Sequence, residues 1–284
     1  MQEKELEDIE RTLLLEGIFL RYGYDFRNYS QASISRRIRH FLARNSIGSM
    51  GELLLRILRE PEFFQSLLFE FSVTVTEMFR DPPFYRALRQ DVVPLLKTYP
   101  FIKVWSAGCA TGEEVYSLAI LLKEEGLLKK ATIFATDIND DSLAKAKKGI
   151  YSLKQVREYT ENFQATGLLH SFSRYYHADQ EHIVMDRELR ERITFANHNL
   201  VSDQVFGEMH LILCRNVMIY FNKKLQERVL NLFDRSLIRG GFLCLGNRES
   251  LRFSGLSKKY EERDRKNRIY RKAVAQSYPS SVRV

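Results

Sequence analysis

A change of rhythm at Phe101 constrains this 284-residue chain more than any other feature. Before it no strand signal exists; after it, apolar strand-like runs alternate with helical ones. FIKVWSA (101–107) reads as a buried strand that enters the loop GCATG (108–112) and then a helix with Val115, Leu118, Ala119 and Leu122 on one face. ATIFATD is a second strand. NDDSLAKAKKG is a short helix with acids at its start and Gly149 beyond its end. ERITFAN, HLILC and FLCLGN read as further strands, FNKKLQERVLNLFDRSLIRGG as a helix between the last two, and RIYRKAV as a closing strand. This alternation predicts a doubly wound, mostly parallel sheet. Between 150 and 190 it breaks, and FSRYYHAD and EHIVMD look like short antiparallel strands of a small insert.

The first hundred residues read as helices. Leu13, Leu14, Ile18 and Leu20 form one apolar set; Ser33 is placed to cap ISRRIRHFLARN; GELLLRIL and EFFQSLLFEF continue the pattern. The predicted division is a helical part over 1–78, a linker helix over 79–100, a sheet domain over 101–276 with its insert about 170–190, and a flexible tail over 277–284. The chain carries a formal charge of +8, and 26–59 hold seven arginines against one acid, Glu52. Arg36, Arg37, Arg39 and Arg44 fall largely off the apolar stripe of their helix. They are either a solvated face or a docking surface for an acidic partner.

Three widely spaced cysteines (Cys109, Cys214 and Cys244) make neither a disulfide framework nor CxxC metal spacing, and the six histidines show no ligand spacing, so no metal site is expected. The start MQEKELEDIE lacks an apolar signal core, and no run nears the ~20 apolar residues a bilayer span needs. The expectation is a cytoplasmic protein without membrane insertion.

The loop after the first strand lies where open α/β sheets bind ligands. It has neither GxGxxG nor GxxxxGK[ST], and Glu113 and Glu114 stand where a phosphate would go. A nucleoside that is neutral or cationic there suits it better; S-adenosylmethionine is such a ligand. Glu114 either contacts that ligand or closes a capping box with Thr111. Asp137, directly after the second strand and ahead of a helix capped by Asn139 or Asp140, suits two ribose hydroxyls. Asp81-Pro82-Pro83-Phe84 imitates the box of adenine amino-methyltransferases, but no strand precedes it. Asp81 as helix cap with proline at the first helical position explains it better.

VWSAGCATGEEVYSLAI, FATDIN, ILCRNVMIYF and the upstream VTEMFRD, in this order, resemble the chemotaxis receptor methyltransferases, the CheR family. The resemblance runs over about 10–273 and includes the arginine-rich helix. It implies an S-adenosylmethionine-dependent methyltransferase fold: a Rossmann-like doubly wound α/β sheet with a three-stranded antiparallel insert, preceded by an all-α N-terminal domain. It implies methyl transfer to glutamate side chains on the acidic helical bundle of methyl-accepting chemoreceptors, with S-adenosylhomocysteine as product. It assigns cofactor contacts to Thr76, Arg80, Gly108, Glu114, Asp137, Asn199, Leu200, Arg215 and Asn216, and the substrate side to Tyr220 and Arg80. Thr74 belongs to the same cofactor set but stands where the family often has asparagine; a hydroxyl lacks the carbonyl-plus-amide pair of that residue. Arg36, Arg37, Arg39 and Arg44 would steer docking to the receptor. In the family, receptors with a C-terminal tether bind the insert by strand addition.

A carboxylate nucleophile is ionised near neutrality and needs no strong base, which agrees with the lack of a Ser-His-Asp or Cys-His arrangement. The alternatives are a nucleic-acid methyltransferase and a non-catalytic S-adenosylmethionine-sensing module on the same fold. The +8 charge favours the former; the lack of a target-base box and of a stacking platform opposes it. The expected protein is a monomer that does not act on nucleic acid.

Overall fold

The computed structural model describes residues 3–72, 76–205, 207–252 and 254–274. Four helices come first, α1 (Glu3–Tyr22), α2 (Gln31–Arg44), α3 (Met50–Arg59) and α4 (Pro61–Phe71). They enclose their own core of Leu14, Ile18, Ile34, Ile38, Leu53, Ile57, Phe64 and Leu67. The inward stripe of α1 is Leu14, Leu15 and Ile18; Leu13 and Leu20 are 55% and 75% exposed. One residue is about 100° of helix, so Leu13 is turned off the stripe its neighbour occupies. Ser33 is no cap: α2 starts at Gln31, and Ser30 precedes it without a side-chain cap bond.

The predicted linker helix is two pieces, α5 (Pro82–Ala87) and α6 (Val93–Leu96), joined by a widened π-type turn at Leu88–Val92. Pro94 has no N–H to continue the ladder, and the backbone widens just ahead of it.

The sheet region comprises β1 (Ile102–Ala107), α7 (Glu113–Glu124), β2 (Ala131–Asp137), α8 (Asp140–Lys148), β3 (Ile150–Ser152), α9 (Val156–Ala165), β4 (Tyr176–Ala178), β5 (His182–Met185), α10 (Arg187–Arg190), β6 (Ile193–Asn197), β7 (Met209–Cys214), α11 (Lys223–Ser236), β8 (Leu237–Leu245), β9 (Tyr260–Asp264) and β10 (Ile269–Lys272). The main sheet has seven strands in the order β6-β2-β1-β7-β8-β10-β9. Five are parallel, while β10 runs antiparallel to β8 and β9 to β10. The insert is a separate antiparallel sheet, β3-β5-β4. It takes its first strand at Ile150, well before the expected start near 170.

Alternate residues of β7 serve two cores. Leu211 and Leu213 pack with α7, and Ile212 and Cys214 with α11. That double burial is why the strand reads as a continuous apolar run. α7 is buried from Val115 through Leu122, so one predicted face was too narrow. The helix expected to run through 241 stops at Ser236, and Leu237–Gly241 open β8. A Cβ on Gly241 would meet backbone oxygens of Ile238 and His210 at 3.0 and 3.1 Å, so a side chain there would crowd this approach to β7. β9, YEERD, went unpredicted. It is a polar edge strand, exposed from Glu261 to Arg263, and shows no apolar alternation.

Because β1 lies between β2 and β7, connections leave it and β7 toward opposite sides. The carboxyl ends of β1, β2, β6 and β7 thus open one crevice.

Candidate active site

The loop leaving β1 needs backbone that ordinary residues avoid. Gly108, Ala110 and Gly112 all have positive φ (76°, 48° and 95°). A Cβ on Gly108 would sit 2.5 Å from Val217 Cγ2, so this position requires glycine on steric grounds as well. Asp137, at the end of β2, holds the loop: its Oδ2 accepts from Ala110 N at 2.8 Å and its Oδ1 from Asn139 N at 3.0 Å. Burial raises the Asp137 pKa, opposed by the amides of Ala110, Asn139 and Ile138. Asn139 caps α8, accepting from Ser142 N at 3.0 Å.

The Thr111–Glu114 capping box does not form. Gly112 takes the cap position of α7, and the Thr111 hydroxyl donates to Glu113 Oε2 at 2.6 Å. Burial pushes the Glu113 carboxyl up to about 7. Glu114 turns to Arg215 instead.

Below the loop lies a cleft open to solvent. Its walls include Gly108, Asp137, Asn199, Leu200, Asn216 and Tyr220 from the expected set, and also Tyr29, Phe71 and Ser72 from the helical part. Asn139 Nδ2 donates to Ser72 Oγ at 2.7 Å, tying α8 to the end of α4. Thr76, Arg80, Glu114 and Arg215 do not line this cleft. Thr74 lies outside the described residues.

The Arg215 side chain is 1% exposed, with Nη1 donating to Glu114 Oε2 at 3.0 Å and Nη2 to Asp81 Oδ2 at 2.6 Å. Its guanidinium stacks 4.0 Å from the Phe84 ring centroid. Burial raises the Glu114 pKa against the pull of Arg215. Asp81 takes the cap position with Pro82 opening the helix, as expected, but its side chain makes no cap bond. The residue stands at φ 60°, and the carboxylate goes to Arg215, which outcompetes a neutral amide as partner. Arg80 forms no ion pair with a described residue; its charge acts on Glu77 and Glu114.

The segment after β7 is anchored by Glu249, which no sequence signal marked. Its carboxylate accepts from the amides of Asn216, Val217, Met218 and Gly246 at 3.1, 3.0, 2.7 and 2.6 Å. Tyr220 follows on this anchored turn. The α1–α2 connection straps onto it: Ser30 N donates to Tyr220 O at 2.7 Å and Asn222 N to Asn28 O at 2.9 Å. Tyr29 meets the Phe221 ring edge-on at 4.9 Å.

Among the four arginines expected at a docking surface, Arg36, Arg39 and Arg44 are exposed, with Arg39 paired to Glu7 at 2.8 Å. Arg37 departs from the expectation. Its Nη1 donates to Glu70 O at 2.7 Å and its guanidinium lies 5.1 Å from the Tyr220 ring centroid. A single residue's rotation along α2 aims it at the Tyr220 turn instead of at solvent.

Two families match this architecture in register with its halves. Residues 9–72 match the CheR methyltransferase all-alpha domain, and 74–267 match the CheR methyltransferase SAM binding domain. The chain belongs to the CheR methyltransferase family. A Pseudomonas putida protein carrying the name methyltransferase Cher3 is 53% identical over 94% of this chain and 97% of its own length. Chemotaxis protein methyltransferase 2 of Pseudomonas aeruginosa is 31% identical over 85% of this chain and 84% of its own. The chemotaxis protein methyltransferase of Listeria monocytogenes is 29% identical over 81% and 85%.

A CheR methyltransferase uses S-adenosylmethionine, and the cleft fits that cofactor. Asp137 keeps lone pairs beyond its two amide bonds for ribose hydroxyls. Glycine at 108 leaves backbone exposed to a ligand. Acids, with no lysine, flank the loop, which suits adenosine without phosphate. No described helix is long and apolar enough to cross a membrane.

Proposed function

We propose that this CheR methyltransferase is a protein-glutamate O-methyltransferase acting on the acidic helical bundle of chemoreceptor-type signalling proteins. The observation that carries the reading is the meeting of α2 with Tyr220. The helix bearing the exposed Arg36, Arg39 and Arg44 also places Arg37 5.1 Å from the Tyr220 ring, at the cofactor cleft. An acidic helix held on α2 therefore lies beside the site of methyl transfer. Relatives named chemotaxis protein methyltransferases support the same substrate class.

The bound cofactor supplies a methyl group on a cationic sulfur, an activated leaving group. The side chains here bind and orient. Asp137 holds the ribose end and shapes the loop around it. Glu114, held by Arg215, takes the methionine end, beside the main cleft. The Tyr220 hydroxyl donates a hydrogen bond to one oxygen of the substrate glutamate, leaving the other in line with the methyl carbon. No proton needs removal, because the glutamate enters as the carboxylate. Rate enhancement comes from alignment.

The test is transfer of tritiated methyl from S-adenosylmethionine to the cytoplasmic fragment of a chemoreceptor. Label released as methanol by mild base, and lost when the receptor's methyl-accepting glutamates become alanine, supports the proposal. Label on DNA or RNA, or cofactor binding without any transfer, overturns it.

A further inference from the structure

The Asp81-Pro82-Pro83-Phe84 run is left over from the chemistry above, yet two of its residues grip Arg215. Asp81 Oδ2 accepts from Arg215 Nη2 at 2.6 Å and Phe84 stacks beneath the guanidinium at 4.0 Å. Glu114 Oε2 takes Nη1 at 3.0 Å, and the buried Nε has no partner. One guanidinium thus serves two carboxylates, while Arg80, whose charge also reaches Glu114, forms no ion pair with either. Each acid spends one oxygen on Arg215. Oδ1 of Asp81 and Oε1 of Glu114 accept no hydrogen bond from a described residue. Asp81 also holds a left-handed backbone (φ 60°) two residues after Phe79 does the same (φ 54°). Non-glycine residues resist that conformation, and it clusters at ligand sites.

The methionine end of S-adenosylmethionine is a zwitterion. Its carboxylate calls for a cation and its ammonium for two or three acceptors. We infer that Asp81 is a cofactor-binding residue, forming with Glu114 the carboxylate pair that accepts the α-ammonium group. Arg215 spaces the two acids and Arg80 takes the α-carboxylate. The inference rests on the reading that Glu114, held by Arg215, takes the methionine end.

The experiment is calorimetry on the full chain with three probes. S-adenosylhomocysteine has both groups, decarboxylated S-adenosylmethionine keeps only the ammonium, and 5′-methylthioadenosine has neither. Asp81→Asn is expected to weaken the first two about tenfold or more, as for a lost charge-assisted bond, and to leave the third unchanged. Equal loss for all three makes Asp81 merely structural. A gain for S-adenosylhomocysteine means Asp81 competes with the cofactor's carboxylate for Arg215. No change removes the contact. Each of these overturns the inference.

Asp81→Glu moves the carboxylate by one methylene and serves if the Asn variant fails to fold. The affinity ratio of decarboxylated S-adenosylmethionine to methylthioadenosine should then fall by a smaller factor, and an unchanged ratio overturns the inference. Glu114→Gln tells the two levels apart. If it leaves S-adenosylhomocysteine affinity intact, the placement of the methionine end is wrong. If it weakens binding while Asp81→Asn does not, only the role of Asp81 is.

Discussion

Replacing Asp137 separates two jobs that one carboxylate performs. Its oxygens accept from Ala110 N at 2.8 Å and from Asn139 N at 3.0 Å, and the first of these bonds holds a loop with three left-handed residues. Hydrogen bonds to a charged acceptor are worth about 1.5–3 kcal/mol each, so Asp137→Ala removes about 3–6 kcal/mol, less whatever water entering the cleft restores. Set against a typical ~5–15 kcal/mol for a domain, that is a large loss. Asp137→Asn keeps one acceptor and turns its amide against the other N–H, so about half the loss is expected. Both variants also lose the charged acceptor for ribose, and S-adenosylhomocysteine should bind at least ~10-fold more weakly. Urea unfolding of the free protein measures the first effect and calorimetry the second. An alanine variant with an unchanged unfolding midpoint would refute the loop-holding argument. An unchanged dissociation constant would refute the ribose contact.

Glu113 should make stability pH-dependent: burial raises its carboxyl from 4.5 to about 7, so the folded state holds the proton more tightly. That contribution is complete below about pH 4.5 and is lost as pH rises through 7, about 3 kcal/mol in all; Glu113→Gln should flatten urea midpoints compared at about pH 5 and pH 8. Gly108→Ala puts a Cβ 2.5 Å from Val217 Cγ2 at φ 76°. It should cost ~1–3 kcal/mol of overpacking plus ~1–2 of backbone strain, with a lower melting temperature partly restored by adding Val217→Ala. Reversing Arg36 and Arg39 to Glu should raise KM for receptor and flatten its salt dependence while leaving S-adenosylhomocysteine affinity alone; a salt-insensitive wild type would make these side chains a solvated face. Tyr220→Phe should lower kcat with cofactor affinity unchanged, measured by methyl transfer and calorimetry, and a loss of affinity would make Tyr220 a cofactor contact.

Elements buried on two faces were legible because their sequences are constrained from both sides. β7 is such a run and most of β1 is too; Gly108 follows β1 directly and Asp137 ends β2, so chain position alone put them at the crevice. β9 escaped because an edge strand with exposed charges carries no apolar period. The end of α11 escaped because Leu237 and Ile238 extend a helical pattern that only the approach of β8 to β7 interrupts. The Asp81 side chain was misread because helix-cap chemistry is local, whereas its partner Arg215 is 134 residues away. Glu249 had no signal at all, since its four amide partners are assembled by the ends of β7 and β8.

Strand–helix order, the acids opening α7 and the acid ending β2 were determined by the sequence itself, because each depends on neighbours within a few residues. Burial period, capping chemistry and φ preference all act over that range. Which arginine faces solvent and which one meets the Tyr220 ring was decided only in three dimensions. Arg36, Arg37 and Arg39 are near-identical in sequence context, yet a 100° step per residue sends Arg37 to the Tyr220 ring and leaves the other two in water. The same holds for Arg215 between Asp81 and Glu114. A buried charge is tolerated only where opposite charges from distant segments converge on it, and convergence is a property of the folded chain.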